Sequence, residues 1–320
     1  MTHIRPTAAP ATRLALAGAV ALLAAACTST DSGGAKGTST EAKGAVPAVS
    51  APPSIATAAD KALPIDPYLL SYEQRDQLER ADSVLVTRCM ARFGIQYQAP
   101  PQIPGGNRPR SRTDRRYLEM TADSAQAYGY HGAEGDRPTP APPPPQVSDA
   151  TRLVLTGSAA ANAKSGQGGQ DYNGAKVPKG GCLGEAKEKL GANPSNNGGG
   201  DAQLARDIDA GARERSKTDD RVLGVFKSWS DCMRTKGYDY PDPVKVLDDP
   251  RWSSPAPTDV ERGTAVADVA CKQQANVVGV WFAVEAAYES QLIEQNTTAL
   301  AQIRKENEDR LRAAAQALSS

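Results

Sequence analysis

A cysteine-containing phrase occurs twice in this chain and constrains its fold more than any other feature. The pattern Cys-Met-x3-Gly-x2-Tyr begins at Cys89 and again at Cys232, and proline follows each copy closely. Before each cysteine, apolar residues recur every three to four positions, as on the buried face of a helix. Glycine is the residue type that most often ends a helix in the left-handed conformation. Each copy therefore predicts a helix C-terminus whose cysteine faces the core.

Residues before the two copies extend this helical pattern. Ser71 and Gln74 have the spacing of a capping box, which predicts a helix from there to Gly94. Before the second copy, Asp219 and Asp220 place negative charge where a helix N-terminus favours it. The apolar stripe of the second helix is formed by Val222, Val225, Phe226, Trp229, Cys232 and Met233. The predicted fold class is mostly α.

A long helical pattern closes the chain. Thr258 and Glu261 have the spacing of another capping box, and the pattern continues with little interruption to about Leu318. Large apolar residues are frequent up to Glu294 and sparse beyond it. We expect the first half of this long C-terminal helix to be packed and its second half to be exposed, either as a frayed tail or as a docking helix for a partner.

Four cysteines in the folded region predict two disulfides. Cys89, Cys182, Cys232 and Cys271 allow three connectivities, and an even count outside the cell favours bridges. The stretches that begin at Cys182 and Cys271 share Cys-x3-Ala and a helical appearance, so each half resembles a Cys-Met helix followed by a helix that begins near a cysteine. This favours Cys89–Cys182 and Cys232–Cys271. The alternative, a metal site, lacks Cys-x2-Cys spacing, so no metal or cofactor is predicted.

The N-terminus predicts the compartment. Arg5 and Arg13 form a short positive region before an apolar run, Leu14–Leu23, that is too short to span a bilayer. The next residues, Ala24–Cys27, resemble the lipobox of bacterial lipoproteins, in which the cysteine carries diacylglycerol. We expect residues 1–26 to be a signal peptide and Cys27 to bind membrane lipid at the extracytoplasmic face of the cell membrane. The alternative is an ordinary signal peptide that leaves a free cysteine.

Composition divides the remaining chain. Residues 27–62 are small, polar and rich in proline, which predicts a disordered tether that spans roughly 30 Å. Residues 63–198 would form the first disulfide-stapled helical half and residues 199–320 the second. Aromatic residues make up only 5% of the chain, so the core is expected to be thin and the disulfides important.

The first half contains an irregular Pro/Gly-rich insertion. Within it, "TRLVLTG" (Thr151–Gly157) and "AKVPKGG" (Ala175–Gly181) predict a small β-hairpin. The arginine-rich run Arg108–Arg116 is expected to be a solvated loop face, with contact to anionic lipid heads or wall polymers as the alternative.

Sequence motifs for catalysis are missing from the chain. It contains no Gly-x-Ser-x-Gly, Ser-x-x-Lys or His-Glu-x-x-His motif. His131 is the one histidine that follows the predicted signal peptide, and we expect it to be a surface or packing residue. No catalytic residue is predicted. Distant carboxylates that meet in a glycosidase-like cleft remain the alternative.

Aromatic residues near the repeated phrases are candidate ligand contacts. Tyr97, Tyr238, Tyr240 and Trp252 lie in or beside the loops after the two copies, where their rings would stack on sugars of peptidoglycan. The competing interpretation is that these rings pack over the disulfides.

Several motifs together carry a resemblance. "RRYLE", "AQAYGYH", "VPKGGCLGEA", "DDPRW" and "ADVACKQQANVVGVWFAVE" are similar to those of a group of uncharacterised secreted lipoproteins of high-G+C, Streptomyces-like actinobacteria. The resemblance implies a location and no chemistry. Zero net charge argues against nucleic-acid binding. We expect a lipid-anchored cell-envelope protein that is a non-enzymatic binding or accessory subunit, associated with a transporter or the wall and partnered by peptidoglycan or an envelope protein. The alternative is a cell-wall-modifying hydrolase.

Overall fold

Helices dominate the computed structural model, which describes residues 46–49, 51–99, 109–131, 147–161, 165–192 and 200–320. The predicted signal peptide, Cys27 and most of the predicted tether lie outside these residues. The elements in chain order are α1 (Tyr72–Arg92), α2 (Ala122–Tyr128), α3 (Asp149–Thr156), β1 (Asp171–Tyr172), β2 (Ala175–Lys176), α4 (Gly181–Lys189), α5 (Gln203–Lys217), α6 (Asp220–Thr235), α7 (Asp259–Gln274), α8 (Val277–Glu294) and α9 (Thr297–Ser319). Single 3-10 turns form at Asp66–Tyr68 and Pro250–Ser253. The mostly α prediction is confirmed.

Both copies of the repeated phrase end their helices in the same way. In the first, Gly94 has a φ of 72°, and the Ile95 N–H donates to the Met90 carbonyl at 3.1 Å. In the second, Gly237 has a φ of 88°, and the Tyr238 N–H donates to the Met233 carbonyl at 3.0 Å. This hydrogen bond from the residue after the glycine is the mark of a Schellman motif. The glycine of the phrase and the backbone carbonyl of its methionine therefore form the same helix end in both copies.

Both predicted disulfides are confirmed. Cys89 is bonded to Cys182 and Cys232 to Cys271, across sequence separations of 93 and 39 residues. The first bridge joins α1 to the start of α4, and the second joins α6 to α7. The predicted position of Cys271 was wrong: it lies in the last turn of α7, because that helix already begins at Asp259. The preceding residue, Thr258, caps it by accepting a hydrogen bond from the Glu261 N–H.

A small hairpin is present, but one of its predicted strands is a helix. Asp171 pairs with Lys176 in an antiparallel register, so the second predicted stretch does supply a strand. Thr151–Gly157, however, contributes to α3, because the Ser148 side chain caps the helix start and Gly157 ends it in the left-handed conformation. A short apolar run fits a strand or a helix equally well, and here the capping residues on either side favour the helix.

Asparagine divides the predicted long C-terminal helix into α7, α8 and α9. Asn276 adopts the left-handed conformation between α7 and α8, and Asn296 precedes α9 with a non-helical backbone. The predicted exposure of the back half was wrong. Leu300 and Ala314 of α9 are fully buried, and Ala314 packs with Leu78 and Ala81 of α1. Small side chains let the two helices approach closely, so the contact needs few large apolar residues.

The end of the predicted tether lies against the helical body. Pro47 accepts a hydrogen bond from Arg221 of α6, and Pro53 accepts one from Asn276. Gly279 of α8 makes this possible, since a Cβ there would lie 1.8 Å from the Pro53 carbonyl oxygen. Within residues 51–62, Ala58 and Ala59 are buried, and the Ala59 and Lys61 carbonyls accept hydrogen bonds from Ser111 and Thr113, so this end of the predicted tether is held against the helical body.

Two indole rings mark the main core. Trp229 of α6 and Trp281 of α8 are fully buried, and their N–H groups donate to Asp268 at 2.8 Å and to Ser216 at 2.9 Å. The two predicted halves pack against each other within one compact unit, Val46–Ser320. Within the described residues, every helix is too short or too polar to cross a membrane.

The repeated helix end can be tested by glycine substitution. Gly237→Ala should lower the free energy of unfolding by about 1–2 kcal/mol, because a Cβ disfavours the left-handed conformation. A Cβ at Gly237 would have no atom within 4 Å, so the loss reports backbone strain alone.

Gly211→Ala is the matched control. Gly211 lies within α5, also with open space around it, and should gain about 0.5–1 kcal/mol. Chemical denaturation measures both variants. Equal stability of Gly237→Ala and the wild type would contradict the shared Schellman motif.

Candidate functional site

Three carboxylates converge where α5 packs against α8. Ligand oxygens of Asp209, Glu285 and Glu289 all lie within 4.8 Å of one another, and both glutamates are fully buried. Glu285 and Glu289 are four residues apart in α8, which puts them on the same face of the helix. Oxygen atoms in such a group have the chemistry to hold a hard cation.

Arginine side chains already supply positive charge to this cluster. Arg116 donates to Asp209 at 2.7 Å and to Glu285 at 2.8 Å, while Arg213 lies 3.4 Å from the other oxygen of Glu285. A guanidinium satisfies carboxylates in fixed, planar geometry. The cluster is therefore a neutralised ion network, and the arginines stand where a metal ion would need to bind.

Glu289 is the one acid of the network with no guanidinium bonded to it. One of its oxygens accepts the Ile65 N–H at 3.0 Å, and the other has no hydrogen-bond partner among the described residues. Burial, with the nearby charges of Glu285 and Asp209, raises the pKa of Glu289 to about 8. At neutral pH this carboxyl is mostly protonated, which leaves two guanidinium groups facing two carboxylates.

The arginine-rich run is partly exposed, and two of its arginines form ion pairs with other parts of the chain. Its described part, Pro109–Arg116, places Arg112 3.1 Å from Asp66 and Arg116 in the ion network. Tyr117, which follows directly, is fully buried and packs edge-on against Trp281 at 5.6 Å between ring centroids. The expectation of a loop surface therefore holds for Arg110 and Arg115, which are exposed, and fails for Arg116, whose buried partner Glu285 lies far along the chain.

The four candidate aromatic residues do not form one surface. Tyr97 packs in the apolar cluster around the first disulfide, whereas Tyr238, Tyr240 and Trp252 pack in the cluster around the second. Tyr240 is buried, and its hydroxyl donates to Asp249 at 2.7 Å. The Trp252 indole N–H donates to the Val246 carbonyl at 2.6 Å. These contacts support the packing interpretation.

His131 links the insertion to α7. Its ring nitrogens lie 2.7 Å from a carboxylate oxygen of Glu261 and 2.6 Å from the Ser254 carbonyl. Each ring nitrogen therefore has an oxygen atom within hydrogen-bonding distance. Glu261 is fully buried and also accepts the Tyr130 N–H at 2.8 Å. His131 is thus a packing residue, one of the two roles expected.

An open groove of about 600 Å³ runs beside α6 and the loop after it. Leu223 lines it with 46% of its surface exposed, whereas the residues of the α6 apolar stripe are buried or partly buried. Charged side chains of both signs line the same groove, and Asp231 pairs with Lys227 at 2.8 Å and with Arg234 at 2.9 Å. An exposed apolar side chain between ion pairs has the anatomy of a small protein interface.

Sequence signals for both sites existed, although the sites themselves were missed. Leu223 lies out of phase with the apolar stripe of α6, which marks it as exposed. Glu285 and Glu289 stand at helical spacing inside α8, the most apolar helix of the described residues, which marks them as buried acids in need of partners. No signal identified Arg116 as that partner, because 169 residues separate it from Glu285.

Comparisons of the chain with models of protein families, with curated proteins and with solved structures found no match. Functional inference therefore rests on the chemistry of the described residues.

The raised pKa of Glu289 predicts a pH-dependent stability. Between about pH 4 and pH 8 the folded protein retains a proton that the unfolded chain has lost, so the wild type loses stability as pH rises and levels off above pH 8. Glu289→Gln removes this titration and keeps the acceptor for Ile65. Its advantage over the wild type should grow across this window by at most about 1.4 kcal/mol per pH unit.

Denaturation at several pH values measures this difference. Glu294→Gln, an exposed acid at the end of the same helix, is the control and should follow the wild-type profile. A constant difference between Glu289→Gln and the wild type from pH 5 to pH 8 would mean that Glu289 is ionised throughout.

Proposed function

We propose that this protein is a lipid-anchored cell-envelope protein, similar to secreted actinobacterial lipoproteins, whose helical body is a non-enzymatic binding or accessory subunit at the outer face of the membrane. Cysteine pairing supports the anchor. Four of the five cysteines are bonded to each other, which leaves Cys27, the cysteine behind the lipobox-like residues.

The groove beside α6 is the proposed binding site, and exposed Leu223 is the observation that carries this proposal. An apolar side chain presented between ion pairs is suited to a complementary apolar side chain that carries charged neighbours. The Cys232–Cys271 bridge fixes α6 against α7 before any partner arrives, which lowers the entropy lost on binding. The occupant is a segment of an envelope protein, such as a transporter or wall-associated component.

A glycan is less suited to this groove than a protein segment. Sugars are commonly held by exposed aromatic rings, and the aromatic residue that lines the groove, Phe226, is only 6% exposed. The residues predicted to face a glycan pack elsewhere against the disulfides. Peptidoglycan is therefore kept as a measurable alternative in the binding experiment.

The hydrolase alternative gains no support from the described carboxylates. A glycosidase needs two carboxyl groups that reach substrate and water in an open cleft. Glu285 and Glu289 are fully buried, and Glu285 is bonded to guanidinium. This arrangement supports binding over hydrolysis as the role of the protein.

The anchor predicts the behaviour of Cys27→Ser. Without a thiol to carry diacylglycerol, this variant should move from the detergent phase to the aqueous phase in Triton X-114 partitioning, or accumulate as uncut precursor. Ser29→Ala, a nearby change that keeps Cys27, should partition like the wild type. Unchanged detergent partitioning of Cys27→Ser would refute the lipid anchor.

The groove predicts where a partner can be cross-linked. A photo-reactive amino acid at position 223 should form a discrete adduct with an envelope protein in intact cells, and the same probe at Leu318, a leucine of α9 that is 40% exposed, should not. Lys227→Glu reverses a charge beside Leu223 and should reduce the adduct by at least about tenfold, equivalent to about 1.4 kcal/mol of affinity.

Other outcomes would change the assignment. Equal adducts from positions 223 and 318 would mean that the groove is not a specific site. Adducts that disappear only after peptidoglycan is digested would replace the protein partner with a glycan.

A further inference from the structure

The two disulfides occupy different positions on their helices. Cys89, Cys232 and Cys271 each lie in the last turn of a helix, at the negative end of its dipole. Cys182 is instead the second residue of α4, a helix of nine residues, at the positive end. A helix N-terminus stabilises a thiolate and lowers the pKa of a cysteine. Of the four sulfurs, that of Cys182 is the best leaving group.

The start of α4 has capacity to accept that negative charge. Its N-cap residue is Gly180, which makes no side-chain capping bond, and its first turn carries no acidic residue. No side-chain oxygen at the N-cap therefore competes with a Cys182 thiolate for the backbone N–H groups of the first turn. The Cys232–Cys271 bridge has no equivalent, because both of its cysteines precede the carbonyl ends of their helices.

Charge also distinguishes the partner sulfurs. The Arg92 guanidinium lies 3.4 Å from Cys89 Sγ, and its side chain is 55% exposed. Cys232 Sγ has the uncharged amide oxygen of Gln274 at 3.5 Å. Arg92 and Lys189 both pair with the Glu185 carboxylate, so these three side chains leave one net positive charge near Cys89 that attracts an anionic thiolate, whereas Gln274 provides no such charge.

From these positions we infer that Cys89–Cys182 is a redox-sensitive link, opened by an external dithiol that attacks Cys89, while Cys232–Cys271 is the permanent bridge. This regulation is independent of the proposed binding groove.

The reaction balances with the dithiol as the only reductant. One thiolate of the dithiol bonds to Cys89 Sγ, and the electron pair of the broken S–S bond passes to Cys182 Sγ. The second thiol of the reductant loses its proton and attacks its own mixed disulfide, which releases the Cys89 sulfur. That sulfur takes a proton, and the Glu185 carboxylate at 3.7 Å is placed to accept its S–H. The Cys182 thiolate takes up the proton that the first thiol of the reductant released, so two electrons and two protons pass from the reductant to the protein.

Reduction would act locally. The bridge joins α1 to α4 inside a small apolar cluster that also holds α3 and the hairpin. Because Cys89 is 3% exposed and Cys182 is fully buried, reduction requires the side chains that cover the bridge to open locally, as it does at the second bridge, where Cys232 is 7% exposed and Cys271 fully buried. The cluster around Trp229 and Trp281 retains its own bridge. The expected response is loosening of α3, the hairpin and α4.

Native-state reduction of the full chain tests this inference. The folded protein is incubated with dithiothreitol without denaturant, quenched by alkylation and mapped by mass spectrometry. Cys89–Cys182 should be reduced at least about tenfold faster than Cys232–Cys271, and at equilibrium its potential should be the less negative one. With glutathione, a monothiol, the mixed disulfide should form on Cys89 and the free thiol should be Cys182.

Matched variants separate charge from general loosening. Arg92→Gln should slow reduction of the first bridge by about two- to fivefold, as expected for the loss of one partly exposed charge, and Arg92→Lys should restore much of the rate. Arg234→Gln removes an exposed arginine of α6 that pairs with Asp231, and it should change neither rate. Equal reduction rates of the two bridges, faster reduction of Cys232–Cys271, or glutathione mainly on Cys182 would each overturn the inference.

Discussion

The buried contact between Arg116 and Glu285 is the interaction on which the arrangement of the helices depends. It brings a loop that follows α1 in sequence into the interface between α5 and α8, 169 residues away from its partner. Removing one member of a buried ion pair costs about 3–5 kcal/mol, because the other charge remains in a low-dielectric interior. Arg213 adds a second guanidinium and lies over the Trp281 ring at 4.6 Å. The loop, α5 and α8 are thus held together by ion pairs that are largely buried from water.

This interaction explains why the two disulfide-linked halves form one compact unit. Each bridge joins two helices of its own half, so neither bridge joins the halves. That task falls to the ion network and to α9, whose alanines pack on α1. Glu289 also belongs to this task, since it accepts the Ile65 N–H and holds the segment before α1 against α8. The repeated phrase therefore marks two similar helix ends inside a shared core.

Local chemistry was predictable from the sequence, and long-range pairing was not. The helix ends at Gly94 and Gly237 follow from residues within one turn, and the cysteine pairing followed from the repetition of the phrase. The α9–α1 contact was missed because alanines such as Ala314 bury little area and look neutral in an apolar pattern. Among the site residues, the positions of Leu223 and of the α8 acids in the helical repeat indicated their exposure or burial. The position of Arg116 beside Glu285 depends on tertiary structure alone.

The two kinds of cross-link act on different states of the chain. Disulfides stabilise mainly by restricting the unfolded ensemble, and a thin core with 5% aromatic residues benefits from that restriction. The ion network, in contrast, does not change the free energy of the unfolded chain. It raises the free energy of compact states in which Glu285 is buried without its arginines. Because the network and α9 do not involve Cys182, opening the first bridge leaves the halves joined. The fold can therefore carry one labile disulfide at α4 while the groove beside α6 keeps the support of Cys271.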